Sequence, residues 1–518
     1  MQGRLEKLRS LAMRDGGLPL VWLMLTVLML VPVWHQRLLP MLDTANHLAL
    51  VRGWHSFNDP AYRISEYYTL RIRPVPYFLF YLSIHLMMFV VSIEVANKLF
   101  LTLYLILFPL SILSVARALK RSPWLALGAF PLAFNQNWIY GFSSYLMGTV
   151  FLFFALAMLL RYLDEGRRRH AIWLGVCTLL TYFSHILPWC CFGLCAIAVL
   201  LLSWRKWKRG LYASLAMMPS LTLAIVTFLD ERSEKTYMKT GEGFAGTWRD
   251  FPTAVMEFPK RVMELFPGEL DTAVLGIVIV TVIGLVIWQR RREGARPLTE
   301  HDRLLRWVLA VLMIVYVSLP YSVTRPMSWW YISPRLPSMM APLLLLWPDL
   351  KLVGRQRLIM LPLIVAAIVL PLKLARLYRD FSNRNAGFFR LIAELPRGAN
   401  TLVVVRGMMR GPGSEEKSGD AASSGPVYWH FSSWPMALNG GYGPYVFDQG
   451  IPIRPKMVLR SPQFAATDAF DIRQAPEYDY YIVRMPMEQM DREPSLKIMD
   501  QMGEWTLYKR IGDLTDEP

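Results

Sequence analysis

Apolar residues in this 518-residue chain come in long unbroken blocks. Blocks of about 17–22 residues are what crossing a hydrocarbon core about 30 Å thick requires. Each must be helical, because an unpaired backbone amide in lipid costs several kcal/mol. The pattern predicts spanning helices at roughly 18–35, 97–117, 122–139, 143–162, 170–187, 188–204, 210–229, 272–289, 304–321, 336–349 and 357–375, about eleven in all. A further apolar block, 77–92, is ambiguous.

Charge between the blocks resolves that ambiguity. Arg167–Arg169, Arg205–Arg209, Arg290–Arg292 and Lys351–Arg357 are the strongest basic links, and the N-terminus carries Arg4, Lys7, Arg9 and Arg14. Such links face the cytoplasm. Counting helices back from Arg167 leaves 36–96 beginning and ending outside, so 77–92 does not cross and instead lies at the outer interface or against the bundle. The same count places the loop 230–271, the segment 322–335 and everything after about 376 outside. The loop 230–271, which mixes charge, aromatics and the glycines of Gly241–Gly246, reads either as a lid that orders on substrate or as a solvated connector.

The pattern changes after residue 378. Thr401–Val405, Tyr478–Val483 and Trp505–Tyr508 read as buried strands, with a helix near 384–395 and a Gly/Ser/Pro-rich insert at 411–426. This predicts a small α/β domain. The expected organisation is a transmembrane domain at 1–378, with a first outer loop 36–96 and a second 230–271, followed by an extracytoplasmic α/β domain at 379–518.

Composition fits this picture: 54% of residues are hydrophobic. The net charge of +17 is gathered between apolar blocks, where it sets topology, so no nucleic-acid partner is read from it. The four cysteines, Cys177, Cys190, Cys191 and Cys195, lie in or beside apolar blocks and read as small hydrophobes. The first apolar block lacks a small-residue cleavage pattern and reads as a retained helix. No Asn-x-Ser/Thr sequon and no cysteine outside the membrane blocks points to a bacterial inner membrane, with the N-terminus cytoplasmic and the C-terminal domain periplasmic.

Three groups of residues are candidates for chemistry. Asp43 and His47, in Asp43-Thr44-Ala45-Asn46-His47, follow the first helix. A carboxylate there is ionised and able to take a proton or orient a metal; alternatively it N-caps a helix starting at Thr44. Arg52, Arg63, Arg71 and Arg73 in the first outer loop, and Arg325 and Arg335 in a later one, run against the positive-inside bias. Arginine offers phosphate a planar fork of donors, although ion pairing with Asp59, Glu66 or headgroups explains most single cases. His185 lies near the outer end of a span, and Trp329-Trp330 belongs either to an interfacial aromatic belt or to a sugar-stacking surface. Gly-rich phosphate loops, HExxH and nucleophile elbows are absent from the sequence.

This arrangement resembles the glycosyltransferase C superfamily, which includes protein O-mannosyltransferases, the lipid A aminoarabinose transferase and the catalytic subunit of oligosaccharyltransferase. Asp43-Thr44-Ala45-Asn46-His47 looks like the family's Asp-Glu-x-x-His variants in the first outer loop. The 77–92 block fits its juxtamembrane helix, and Arg335 before Leu336-Pro337 is similar to an Arg-Tyr-Leu-Leu-Pro pattern placed near the lipid phosphate. The resemblance implies a GT-C-like polytopic helical protein moving a sugar, with inversion, from a polyprenyl-phosphate donor to a glycan, lipid or protein acceptor at the outer face. Asp43 would be the base, assisted by His47. Arg335, Arg325, Arg71 and Arg73 would hold the donor phosphate, and His185, Trp329 and Trp330 would line the acceptor and sugar site. Two departures stand out: Asp43 is followed by Thr where members carry Glu, and Asn137–Ser143 contains no acid where several members carry one. No cofactor is implied with certainty, and a divalent metal is left open. The alternatives are a non-catalytic scaffold of the same fold or a transporter of a lipid-linked glycan.

Overall fold

The computed structural model describes residues 16–233, 244–265, 269–294, 297–325, 329–405, 427–444, 446–447, 451–457, 459, 473, 475–485 and 488–512. The first apolar block forms helix α1 (Leu18–Trp34). The loop after it holds α2 (Thr44–His55), strand β1 (Tyr68–Leu70) and α3 (Phe78–Met87). Ten helical residues rise only about 15 Å, half of a hydrocarbon core. Accordingly α3 does not cross; it buries Phe80, Tyr81 and Ile84 against its neighbours.

The bundle continues through α4 (Ile93–Ala118), α5 (Ser143–Glu165), α6 (Arg168–Ser184), α7 (Ile186–Leu202) and α8 (Trp207–Ser233). A short strand β2 (Ala245–Thr247) and α9 (Phe251–Val262) lead to α10 (Leu270–Glu293) and α11 (Glu300–Ser318). Strand β3 (Ser322–Arg325) pairs antiparallel with β2, and α12 (Leu336–Leu344) and α13 (Leu361–Arg384) close the helical part. Among the described residues, five helices are long and apolar enough to cross a membrane. The apolar stretch of the segment Trp204–Asp230 is only 11% buried. Leu211, Leu215, Leu221, Ile225 and Phe228 lie exposed along it. A face this apolar is suited to lipid rather than water.

Two expected spans differ. Block 336–349 forms only the nine-residue α12, which rises about 14 Å and is too short to cross by the same measure as α3; it is buried among its neighbours and carries Pro342 in its last turn. Residues 122–139 form a 3-10 turn (Pro123–Gly128) and two short helices (Ala129–Ala133 and Gln136–Ile139) instead of one continuous helix. Pro123 and Pro131 remove backbone donors. The Asn135 side chain accepts from the Asn137 amide at 3.0 Å and restarts the chain in a new direction. Every residue from 124 to 142 is buried, so the irregular backbone is shielded by protein, which is where membrane folds tolerate it.

The C-terminal part begins with α14 (Ala386–Glu394) and β4 (Thr401–Val405), followed by α15 (Trp434–Asn439) and β5 (Ile453–Pro455). It ends with β6 (Tyr480–Arg484), β7 (Leu496–Met502) and β8 (Trp505–Arg510). The four-stranded sheet has the order β4-β6-β8-β7, with β4 parallel to β6 and the other pairs antiparallel. Its inner face packs Trp505 against Phe388, with ring centroids 4.5 Å apart. Strand β5 pairs antiparallel with β1 of the first loop, from Tyr68 opposite Pro455 to Leu70 opposite Ile453. The insert 411–426, and 234–243 and 266–268 of the lid candidate 230–271, lie outside the described residues.

The two ends of the bundle differ in chemistry. Asp43 and the Asn137–Ser143 turn mark one end. At the other, buried Arg121 pairs with Asp302 (2.5 Å) and Asp349 (2.8 Å), and Lys206 pairs with Asp164 (3.1 Å) and Glu300 (2.8 Å). Removing one member of a buried ion pair typically costs ~3–5 kcal/mol. Arg121→Met is therefore expected to lower the melting temperature in detergent clearly, and an unchanged Tm would show that the cluster adds no stability.

Candidate active site

Asp43 stands at the N-cap position of α2, but its side chain makes no capping bond. Its backbone is held elsewhere. The Leu42 amide donates to Ile139 O (2.9 Å) and the Asp43 amide to Tyr140 O (3.0 Å). This close approach requires Gly141, which has φ +73° and lies so near that a Cβ would sit 3.0 Å from both the Asp43 and Thr44 nitrogens. The carboxylate is thus free of capping duty, and one of its oxygens, Oδ1, lies 3.3 Å from His430 Nε2.

His430 comes from the C-terminal part, on the turn before the 3-10 helix Phe431–Ser433. Its Nδ1 lies 3.3 Å from Asn46 Nδ2, and Asn46 Oδ1 accepts from the Phe447 amide at 2.8 Å. His47 is buried one turn along α2 from Asp43. Its Nδ1 is 2.9 Å from Tyr81 Oη on α3, and its ring meets Phe447 at 5.1 Å. Burial is the main cause that pushes the His47 imidazole down to about 4, with Asp43 opposing and His430 and Arg335 adding to the fall.

Arg335 is buried. Its Nε donates to Tyr331 O (2.6 Å) and its Nη2 to Trp330 O (3.1 Å), and the guanidinium carbon lies 3.7 Å from the Phe142 ring centroid. Nη1 faces His185 Nε2 at 3.2 Å. His185 Nδ1 accepts from the Leu187 amide at 3.0 Å, so a neutral ring carries its proton on Nε2. That proton suits Tyr77 Oη, 3.1 Å away, and leaves no lone pair for Arg335. No carboxylate among the described residues pairs with Arg335. Burial raises the Tyr77 phenol to about 12, with Arg335 lowering it and Asp43 raising it, so both charges act on this one hydroxyl.

The other candidate residues are distributed more widely. The Trp329 ring is 6.0 Å from His185, and the Trp330 ring meets Tyr140 edge-on at 5.4 Å. Arg325 is exposed at the end of β3. Arg73 pairs with Asp230 at 2.5 Å, and the Arg71 amide donates to Pro452 O. Thus Arg335, His185, Tyr77 and Trp329 form one cluster, whereas no described contact joins Arg325, Arg71 or Arg73 to it.

Sequence reasoning missed His430, Asn46 and the buttress from the loop between α8 and α10. There, Arg249 on the approach to α9 donates to Ser333 Oγ (3.2 Å) and Arg261 on α9 to Tyr331 Oη (3.3 Å), bracing the turn that carries Arg335. Glu257 neutralises both, at 2.6 Å and 3.1 Å. An amphipathic pattern over 251–262 was the available signal. For His430 the only signal was a lone histidine among aromatics in Val427–Phe431. Among the described residues no group of three His, Cys, Asp or Glu side chains is placed to hold a metal ion.

Comparison with solved structures identifies the architecture. ArnT from Cupriavidus metallidurans bound to undecaprenyl phosphate superposes with a TM-score of 0.53 at 10% identity, covering 97% of this chain and 99% of that one. The chain shares the fold of that structure. ArnT in the apo state gives a TM-score of 0.52 at 10% identity, covering 95% and 97% of the two chains. The arabinofuranosyltransferase AftD from Mycobacteria gives 0.49 at 16% identity, with 96% of this chain matched to 40% of that one. No protein-family model and no curated protein sequence matches. At these identities the likeness to ArnT concerns the fold: a polytopic helical membrane protein ending in a small sheet-containing region.

The His47 shift has a direct consequence. Between its ordinary value of 6.5 and about 4 the unfolded chain binds a proton at residue 47 that the folded chain refuses. Stability is therefore present above pH 6.5 and is lost as pH falls through that window, by up to ~1.4 kcal/mol per unit. The melting temperature in detergent should drop less between pH 7 and pH 4.5 in His47→Gln than in wild type. An equal drop in both would show that the ring is not held neutral.

Proposed function

We propose that the protein transfers a sugar from a polyprenyl-phosphate donor to a hydroxyl acceptor, working at the end of the bundle that carries Asp43. The observation that carries this reading is Arg335: a buried guanidinium with no carboxylate partner among the described residues. A buried charge left without a counter-ion is costly, so a site built this way favours an anionic ligand. The planar fork suits phosphate. The ArnT structure that shares this fold holds undecaprenyl phosphate, which supports a lipid phosphate as that anion.

In this mechanism the acceptor oxygen attacks the anomeric carbon while the bond from that carbon to the phosphate oxygen breaks. A single displacement inverts the configuration. The acceptor proton passes to the Asp43 carboxylate. Negative charge collects on the departing lipid phosphate, where Arg335 stabilises it; a well-placed donor of this kind contributes ~3–4 kcal/mol. Trp329 offers a ring beside the His185–Tyr77–Arg335 cluster on which a sugar can stack. The working face is opposite the basic links, which places it outside under the positive-inside rule.

Purified protein in detergent, offered radiolabelled polyprenyl-phosphate sugars with candidate acceptors, tests this directly. Wild type should release lipid phosphate. Asp43→Asn should fall ~10²–10⁴-fold, the usual contribution of a positioned base. Transfer by Asp43→Asn at the wild-type rate would remove Asp43 from the mechanism. Arg335→Gln should weaken undecaprenyl-phosphate binding and lower kcat by ~10²–10³-fold. Lipid bound tightly by wild type without turnover of any donor would favour the non-catalytic scaffold.

A further inference from the structure

Asp43 and His430 are separated by most of the chain yet lie 3.3 Å apart. The contact is built, because three partners fix its polarity. The Phe447 backbone N–H can only donate, so the Asn46 atom it meets at 2.8 Å is the amide oxygen. The other Asn46 atom is therefore the NH2 group, and it donates to His430 Nδ1 at 3.3 Å. With Nδ1 occupied as an acceptor, a neutral imidazole carries its proton on Nε2, and Nε2 faces Asp43 Oδ1. The donor direction runs from the backbone of residue 447, through Asn46 and His430, to the carboxylate.

We propose that His430 is a positioning residue for Asp43: its Nε2–H holds Oδ1 and so presents Oδ2 to the acceptor hydroxyl. The inference deepens the transferase reading and rests on it. His430 takes no proton in the reaction. Its Nδ1 lone pair is committed to Asn46 and its Nε2 is already protonated, so the acceptor proton stays on Asp43 until water removes it. A neutral donor also preserves basicity. An imidazolium at this distance would stabilise the carboxylate and make it a weaker base. Contacts of this kind are often long in ligand-free structures and tighten when substrate binds. The packing gives the ring little freedom: Phe447 meets it at 5.0 Å, and α15, which follows His430 directly, lies against α2.

The test uses full-length protein in detergent, with the transfer assay and 15N-histidine NMR side by side. His430→Leu should lower kcat by about 10²-fold, the usual effect of a misplaced reacting group, with KM for the lipid donor unchanged because Arg335 is untouched. His430→Gln, whose amide nitrogen still reaches Asp43 as a donor, should recover most of that loss. The His430 signal, assigned by its disappearance in His430→Gln, should report a neutral ring protonated on Nε2. Equal losses in the Leu and Gln variants, an effect on KM alone, or a wild-type ring protonated on Nδ1 would each overturn the proposal. If wild type turns over no polyprenyl-phosphate sugar, the transferase reading falls by itself, and the tautomer measurement still decides the His430 assignment.

Discussion

Two backbone hydrogen bonds govern the geometry of the candidate site: Leu42 to Ile139 and Asp43 to Tyr140. They tie the exit of the first helix to the turn that opens α5, and Gly141 lets the strands of that tie approach. Because the Asp43 backbone is fixed by these bonds, its side chain need not cap α2 and is available for other partners. The same Asn137–Tyr145 stretch also reaches Arg335: Asn137 Nδ2 (3.3 Å) and Tyr145 Oη (2.8 Å) both donate to the Arg335 carbonyl. One short turn thus references the acid and the arginine to each other. Sub-ångström placement of reacting groups depends on such shared anchoring.

The electrostatics of the site follow from what is and is not neutralised. Arg249 and Arg261 are as aromatic in their surroundings as Arg335, packing on Tyr316, Tyr321 and Tyr331. Glu257 compensates both of them. Arg335 is instead surrounded by carbonyl oxygens, an imidazole and ring faces, which solvate a guanidinium without cancelling its charge. Among the described residues, buried Arg121 and Arg484 are compensated by carboxylates, whereas buried Arg335 has none within ion-pair distance and feels Asp43 only through space.

How much of this was legible depended on the range of the interaction. Span blocks are written in local hydropathy, and α3 was removed from the membrane by counting charged loops, which is also a local signal summed along the chain. The break at 122–139 was not legible because hydropathy averages over Pro131 and Asn135, and only the surrounding protein makes the irregular backbone tolerable. Strand β7 was missed because its apolar residues Leu496, Ile498, Met499 and Met502 do not alternate with the polar ones, and Ile498 and Met499 are exposed. Arg335 stood out because it directly precedes an apolar block. Arg73 and Arg325 looked similar in sequence, but whether a cation meets Asp230, solvent or a guarded interior is decided by tertiary contacts. His430 had no local mark beyond its aromatic neighbours in Val427–Phe431. Its meaning lies in a residue nearly four hundred positions away.

The pairing of β1 with β5 carries a consequence for how the protein is made. Thr69 and Arg454 join across 385 positions, and the bond from Asn46 to Phe447 spans 401. The first loop therefore emerges from the ribosome long before its partners exist. Until residues beyond 450 have been synthesised, β1 has an unpaired edge and Asn46 lacks the amide that orients it. Contacts of such separation form late, since the chain must close a long loop before they return any stability. The contacts of Asn46 and His430 are thus completed last during biogenesis, and a chain released early would hold the Asp43 backbone against Tyr140 but lack the ring that faces its carboxylate.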